Sequence, residues 1–196
     1  MKKTYKLTNL QTHKLRGGFT LIETLFAIFI FATSLVVLIT VTSQGTNRAS
    51  YAKNKFVASF LAQEGIELVR NIRDEYLLYG PNGVQSLDWT LFLDDIADSC
   101  SAGNGGCAID GSDADPEAIS CGGQCDDLSL SSNGFYNYRF GPNTNFNRKI
   151  EIEILGIGEE IRVTSTVTWE RGISTQIVAV NANLTSWIQP VNQQGL

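Results

Sequence analysis

Histidine is almost absent from this 196-residue chain, His13 being the only one. A lone imidazole in a basic N-terminal stretch supplies no His-rich metal cluster and no distributed acid–base machinery. Walker-type and Rossmann-type glycine patterns are missing as well. The adjacent acids Asp94 and Asp95, and Asp126 and Asp127, read as surface or loop-edge features, with an unrecognised carboxylate enzyme as the alternative. The expectation is therefore a protein that is not an enzyme and needs no cofactor. Proline is scarce too, and none of the four falls between Phe19 and Gly80. Nothing in those residues breaks a helix as proline would. Charge is missing in two places: no acid occurs in the first 18 residues, and no charged residue lies between Glu23 and Arg48.

The uncharged interval holds the longest apolar run, LFAIFIFATSLVVLITV over residues 25–41. A hydrocarbon core needs roughly 20 helical residues to cross, and residues 19–42 satisfy that length. A helix buried in a globular core would show a polar face, which this run lacks. The basic leader (Lys2, Lys3, Lys6, Lys14, Arg16) leaves 10 Lys/Arg against 20 Asp/Glu in the rest of the chain. Basic residues beside an apolar span stay cytoplasmic, which sends the acidic body outward. An acidic exported body is not built to take nucleic acid as its main ligand, because phosphate contacts need basic surface.

The junction between leader and span reads KLRGGFTLIET over residues 14–24. An ordinary secretory signal loses its apolar stretch on cleavage. Here Gly17 and Gly18 precede the apolar helix, and two glycines keep the chain open for a protease groove at the membrane face. Cleavage after Gly18 leaves Phe19 as the new N-terminus with the helix retained. Glu23 is a lone carboxylate at the start of that helix. On insertion scales a charge costs about 2.5–3.5 kcal/mol at the bilayer centre, and less towards the interface. One explanation is that Glu23 sits at headgroup level, favoured by the helix macrodipole.

G-F-T-L-I-E followed by an apolar run resembles the prepilin signal of type IV pilins and of type II secretion pseudopilins, over about residues 14–45. The resemblance implies cleavage between Gly18 and Phe19 by a membrane-embedded prepilin peptidase, and N-methylation of Phe19. It further implies that Glu23 pairs with the Phe19 ammonium of a neighbouring subunit as helices bundle, setting their axial stagger. Opposite charges that are each costly in a dry bundle become tolerable together. An uncleaved signal anchor is the alternative. LAQEGIELVRNIRD over residues 61–74 is similar to a stretch of minor pilins involved in filament initiation. Many major pilins carry a proline about 22 residues into the mature chain, where this sequence has Thr40.

The spacing predicts a helix over residues 19–79, stopped by Gly80 and Pro81. Its length would be roughly 90 Å at 1.5 Å per residue. Val57, Phe60 or Leu61, Glu64, Leu68 and Ile72 recur at helical spacing, and Leu61, Leu68, Val69, Ile72 and Tyr76 form an apolar stripe that docks the head. Gly45 and Gly65 are its weak points at about 1 kcal/mol each relative to alanine, with Gly45 the expected centre of any melting. Residues 80–97 mix turn signals with Leu87, Trp89, Leu91 and Phe92.

Residues 98–134 are rich in Gly, Ser and Asp, so burial alone will not fold them. Their four cysteines, Cys100, Cys107, Cys121 and Cys125, lie beyond the span, where disulfides persist. Three pairings are open. Cys100–Cys107 and Cys121–Cys125 are favoured as short staples, with a longer bridge from Cys125 and a zinc site as rivals. Asp110, Asp113, Asp115 and Glu117 crowd oxygen ligands into eight residues, a set suited to calcium, although a solvated acidic loop reads the same way.

From residue 135 the period becomes two, with strands expected at 135–140, 149–155, 161–169 and 175–183. Ile150, Ile152, Ile154, Val163, Val167 and Trp169 would face the helix. The expected architecture is α+β: a basic leader (1–18), a membrane and spine helix (19–79), and a head (80–196) made of a Cys-containing loop region (80–134) and an antiparallel sheet (135–184). The resemblance also implies other pilin subunits, the peptidase, the inner-membrane assembly platform and the lipid bilayer as partners. It places the chain first in the bacterial inner membrane, crossing once with its head outside the cytoplasm, then in an extracellular filament. A minor pilin, a secretion pseudopilin and a non-polymerising membrane-anchored binding protein are the three readings carried forward.

Overall fold

The computed structural model of the chain describes residues 17–78, 89–113, 116–156 and 159–187. The expected leader up to residue 16, the Gly80–Pro81 stop, Leu87 and Asp115 lie outside the described residues. Contacts divide the chain into two compact units, Met1–Arg48 and Ala49–Leu196.

In the first unit the described residues are a short non-helical stretch, 17–20, and the opening of helix α1 (Leu21–Leu78). The Thr20 hydroxyl accepts from the Glu23 N–H at 3.3 Å, an N-terminal cap. Between Leu21 and Ser43 the hydroxyls turn back onto the helix. Thr33 and Ser34 donate to Ile30 O at 2.9 and 2.7 Å, and Thr40 and Thr42 donate to Val36 O and Leu38 O at 2.9 and 2.8 Å. Thr40 thus sits in unbroken helix, as does Gly45, whose missing side chain faces open space.

In the second unit the remainder of α1 packs on a sheet that has seven strands among the described residues. The strands are β1 (Cys107–Ile109), β2 (Ala118–Ser120), β3 (Asp127–Leu130), β4 (Tyr136–Asn137), β5 (Asn143–Leu155), β6 (Glu160–Arg171) and β7 (Ser174–Thr185). All ladders between them are antiparallel. β5 is the organiser: β6 and then β7 follow on one side, while β1 and β3 share its other side at Ile150 and at Asn143–Asn147. The fold class is α+β, a long helix on an antiparallel sheet.

The core follows from period matching: helical spacing on α1 meets alternation on β5 and β6. One apolar cluster gathers Ile66, Val69 and Ile72 with Phe92, Ile109, Ile150, Ile152, Ile161 and Val163. A second gathers Ala58, Leu61 and Ala62 with Leu128, Phe146, Val167 and Trp169. Full burial of one such aliphatic side chain contributes about 1.5–3 kcal/mol. Of the two candidates for the upper stripe position, Leu61 is buried, whereas Phe60 is exposed and meets exposed Phe56 edge-on at 4.6 Å between centroids.

Three findings differ from the sequence expectation. β1, β2 and β3 lie within the stretch read as loop, where strands of three or four residues leave too short a pattern to see. The strand expected over 135–140 shrinks to Tyr136–Asn137, and β5 begins earlier, at Asn143. Ile154, expected in the core, is 51% exposed, although Ile161 opposite it in the β5–β6 ladder is buried.

Candidate functional site

The Gly18–Phe19 peptide bond lies in the non-helical residues before α1, and among the described residues no atom beyond the chain neighbours comes within 4 Å of where a side chain would stand at Gly17 or Gly18. Phe19 is 81% exposed. Glu23 falls in the first helical turn, the only acid there, where the helix dipole favours negative charge. Along residues 19–41 the large apolar side chains are exposed, Leu35 least at 43%. Among the described residues, α1 is the one helix long and apolar enough to cross a membrane, and none of its most apolar window is buried by the protein itself. This surface therefore has to be covered by lipid or by other chains.

In the head the cysteines pair as Cys100–Cys107 and Cys121–Cys125. Trp89–Phe92 (α2) and a single π turn, Leu93–Ala97, deliver Cys100 to the core, and Cys107 opens β1. Cys100 O accepts from Ile152 N–H at 2.9 Å, which ties the first staple to β5. The second staple lies against the first. Cys121 N–H donates to Gly106 O at 2.9 Å, and a Cβ on Gly105 would overlap the backbone of Gly123. With all four sulfurs in disulfides, no thiolate remains for zinc.

Of the four acids suited to calcium, three are described. Asp110 is nearly buried and accepts from Ser112 N–H at 2.9 Å, the Ser112 hydroxyl at 2.7 Å and Tyr138 N–H at 3.0 Å. Burial acts to raise its carboxyl, but these donors and the Arg139 charge outweigh it and hold the group below its ordinary value. Asp113 pairs with Arg139 at 2.9 Å. Among the described residues no three His, Cys, Asp or Glu side chains converge as a metal site.

The polar centre of the head was not read from the sequence. Arg148 stands on the inner face of β5 with its side chain 1% exposed. Its Nη1 donates to Glu64 Oε2 at 3.0 Å and to Leu61 O at 3.4 Å, and its Nη2 donates to Ile109 O at 2.9 Å. The guanidinium carbon is 5.9 Å from the Tyr138 ring centroid, and the Tyr138 hydroxyl donates to Arg148 O at 3.1 Å. Burial pushes the Tyr138 phenol up, against the opposing pull of Arg148. Directly beside this layer, a Cβ on Gly65 would stand 2.4 Å from Ser165 Oγ and 3.3 Å from Arg148 Cδ. Gly65 thus marks a close approach of the sheet to the helix that leaves no room for a side chain. The available signal was a charged residue at 148 amid inward-facing Phe146 and Ile150, with an acid, Glu64, at a stripe position.

Residues 13–39 match the family model of the prokaryotic N-terminal methylation motif. The match covers the leader end, Gly18, Phe19, Glu23 and the apolar run to Ile39, and supports a type IV pilin- or pseudopilin-like protein. No curated protein and no solved structure matched the chain.

Proposed function

We propose, from the premise that this motif makes the chain pilin- or pseudopilin-like, that it is a minor pilin: a structural subunit of a type IV pilus-like filament. In this reading a prepilin peptidase cuts between Gly18 and Phe19, Phe19 is N-methylated, and the subunit waits in the inner membrane on its one apolar helix with the head outside the cytoplasm. An assembly platform then extracts it into the filament. Glu23 pairs with the Phe19 ammonium of a neighbour and so sets the stagger between helices. The motif belongs to a structural family rather than to a family of enzymes.

The observation that carries the proposal is the placement of one carboxylate five residues beyond an accessible glycine bond, at the head of a helix whose apolar surface the protein leaves uncovered. Burying an acid in a helical bundle is tolerable when an ammonium meets it.

The test is Glu23→Ala, with Glu23→Gln beside it, assayed by the amount of subunit in sheared surface filaments and in membranes. Both variants should remain in the membrane, with Phe19 as first residue by mass spectrometry, and should fall at least about tenfold in filaments, one lost charge pair being worth that factor or more. Unchanged incorporation overturns the assembly role, and an uncut leader overturns the processing. A secretion pseudopilin shares the motif, and it would instead be missing from sheared surface filaments of the wild type.

A further inference from the structure

We propose that the hollow lined by Phe135 and Phe140 on the head is a binding site for a neutral saccharide. The inference goes beyond the filament reading and does not depend on how the N-terminal helix is used.

Phe135 and Phe140 are large apolar side chains left on the surface, 66% and 68% exposed. The backbone that carries them is nevertheless tied down. The buried Asn137 amide donates to Phe135 O at 3.4 Å and to Phe140 O at 2.9 Å. Its oxygen accepts from Arg139 N–H at 2.8 Å and from Phe140 N–H at 2.5 Å. The Ser131 hydroxyl donates to Phe135 O at 2.8 Å and accepts from Phe135 N–H at 3.2 Å. Both phenylalanine carbonyls thus meet one side-chain nitrogen, and the two rings ride on one clamped frame. A ligand that used them would order little further backbone, because folding has already fixed it.

The two rings line a hollow of about 350 Å³, within the range of small-molecule sites. Its polar lining has a definite character. Glu64 uses Oε2 for Arg148, and its Oε1 has no hydrogen-bond partner among the described residues. Gly111, which lines the same hollow, sets no side chain beside that oxygen; a Cβ there would stand 3.5 Å from it. The Ser112 hydroxyl gives its hydrogen to Asp110 at 2.7 Å and keeps lone pairs with which to accept. Asn133 accepts from the Ser131 hydroxyl through its oxygen, and its NH2 group is unused among the described residues. Two acceptors and a donor are therefore on offer beside two phenyl rings.

This chemistry narrows the ligand. The Glu64 charge is already matched by the buried Arg148 guanidinium at 3.0 Å, so a cation would find no unpaired carboxylate. No described Lys or Arg lines the hollow to hold an anion. A wholly apolar ligand would strip water from the Glu64 oxygen, the Ser112 hydroxyl and the Asn133 amide and return no hydrogen bond. A sugar ring meets both demands. Its C–H groups, polarised by the neighbouring oxygens, lie against the negative face of a phenyl ring, while its hydroxyls donate to Glu64 and Ser112 and accept from Asn133.

The test is saturation-transfer NMR of the full-length protein in micelles of lauryldimethylamine oxide, a detergent that carries no sugar. The probes are cellobiose, lactose and diacetylchitobiose, with sorbitol as a polyol lacking a ring face and choline as a cation. At least one disaccharide should receive saturation, most strongly at its ring C–H protons, and sorbitol and choline should receive none. In labelled protein the same sugar should move the backbone amide signals of Phe135 and Phe140 and leave those of β7 in place. Phe135→Ala and Phe140→Ala change exposed side chains, so both should keep the wild-type melting temperature and weaken the sugar roughly three- to tenfold each. No transfer to any of the three sugars overturns the proposal. So does choline or sorbitol bound as well as the sugar, which would make the hollow a cation site or a site for any hydroxyl compound, and so does an affinity that neither phenylalanine variant changes.

Discussion

Arg148 on the sheet and Glu64 on the helix meet at 3.0 Å in the layer where the two apolar clusters of the head are parted. On β5, Arg148 lies between Phe146 of one cluster and Ile150 of the other. On α1, Glu64 and Gly65 lie between Leu61 and Ile66, and on β6, Ser165 lies between Val167 and Val163. Sliding the helix by one turn would drive apolar side chains onto the guanidinium and take away its carboxylate, leaving Ile109 O as the acceptor on the sheet side. The layer therefore fixes the axial position of the helix on the sheet, a role that apolar contacts alone perform loosely.

Removing one partner should cost more than removing both. Glu64→Leu leaves a buried guanidinium with two carbonyl acceptors and no counter-charge, at a cost of about 3 kcal/mol. Arg148→Met frees the half-exposed Glu64 to solvent and should cost about 2 kcal/mol, mainly through the unmet carbonyl of Ile109. The double variant should be more stable than Glu64→Leu alone. Urea unfolding of the four proteins measures the coupling, and strict additivity would show that the contact does not act as a pair.

Gly65→Ala reverses the usual helix rule. In an exposed helix that change gains about 1 kcal/mol, but here the new methyl would overlap the Ser165 hydroxyl and the protein should melt several degrees lower, as expected for about 1–3 kcal/mol of overpacking. Ser165 Oγ is buried and has no hydrogen-bond partner among the described residues, so Ser165→Ala should be neutral or stabilising and should restore part of the loss when combined with Gly65→Ala. A higher melting temperature for Gly65→Ala alone would refute the close approach.

Asp110 should shape the acid limb of stability. Its carboxyl is held below its ordinary value of 3.8 in the folded protein. A depressed acid stabilises the fold above the unfolded value, and that contribution disappears as pH falls through the folded one. Asp110→Asn should therefore cost about 1–2 kcal/mol at neutral pH, from its charge-assisted bonds to Ser112 and Tyr138. The wild type should lose this advantage as the pH drops below about 4. Thermal melts from pH 7 to pH 2 test it, and parallel curves for the two proteins would contradict it.

What the sequence disclosed and what it hid follow from the range of the interactions. The junction was legible because its signal is local: two glycines, one acid and an uncharged run. β5 (from residue 149 on), β6 and β7 were legible because alternation over seven to nine residues resists misreading. β1 to β3 were not, since strands that short are held by β5 and by the staples rather than by their own pattern. Arg148 escaped notice because its partner lies 84 residues away. Gly65 was counted as a weakness for a related reason, its purpose being set by Ser165 across the interface.

The hydroxyls of Thr33, Ser34, Thr40 and Thr42 give α1 an unusual indifference to its surroundings. Each is already satisfied by a carbonyl one turn back on the same rod, so none asks for water, for a lipid headgroup or for a neighbouring helix. The rod can exchange hydrocarbon chains for protein side chains, or the reverse, without breaking a polar bond. Under the proposed function, the group on this rod whose requirements change with its neighbours is the Glu23 carboxylate.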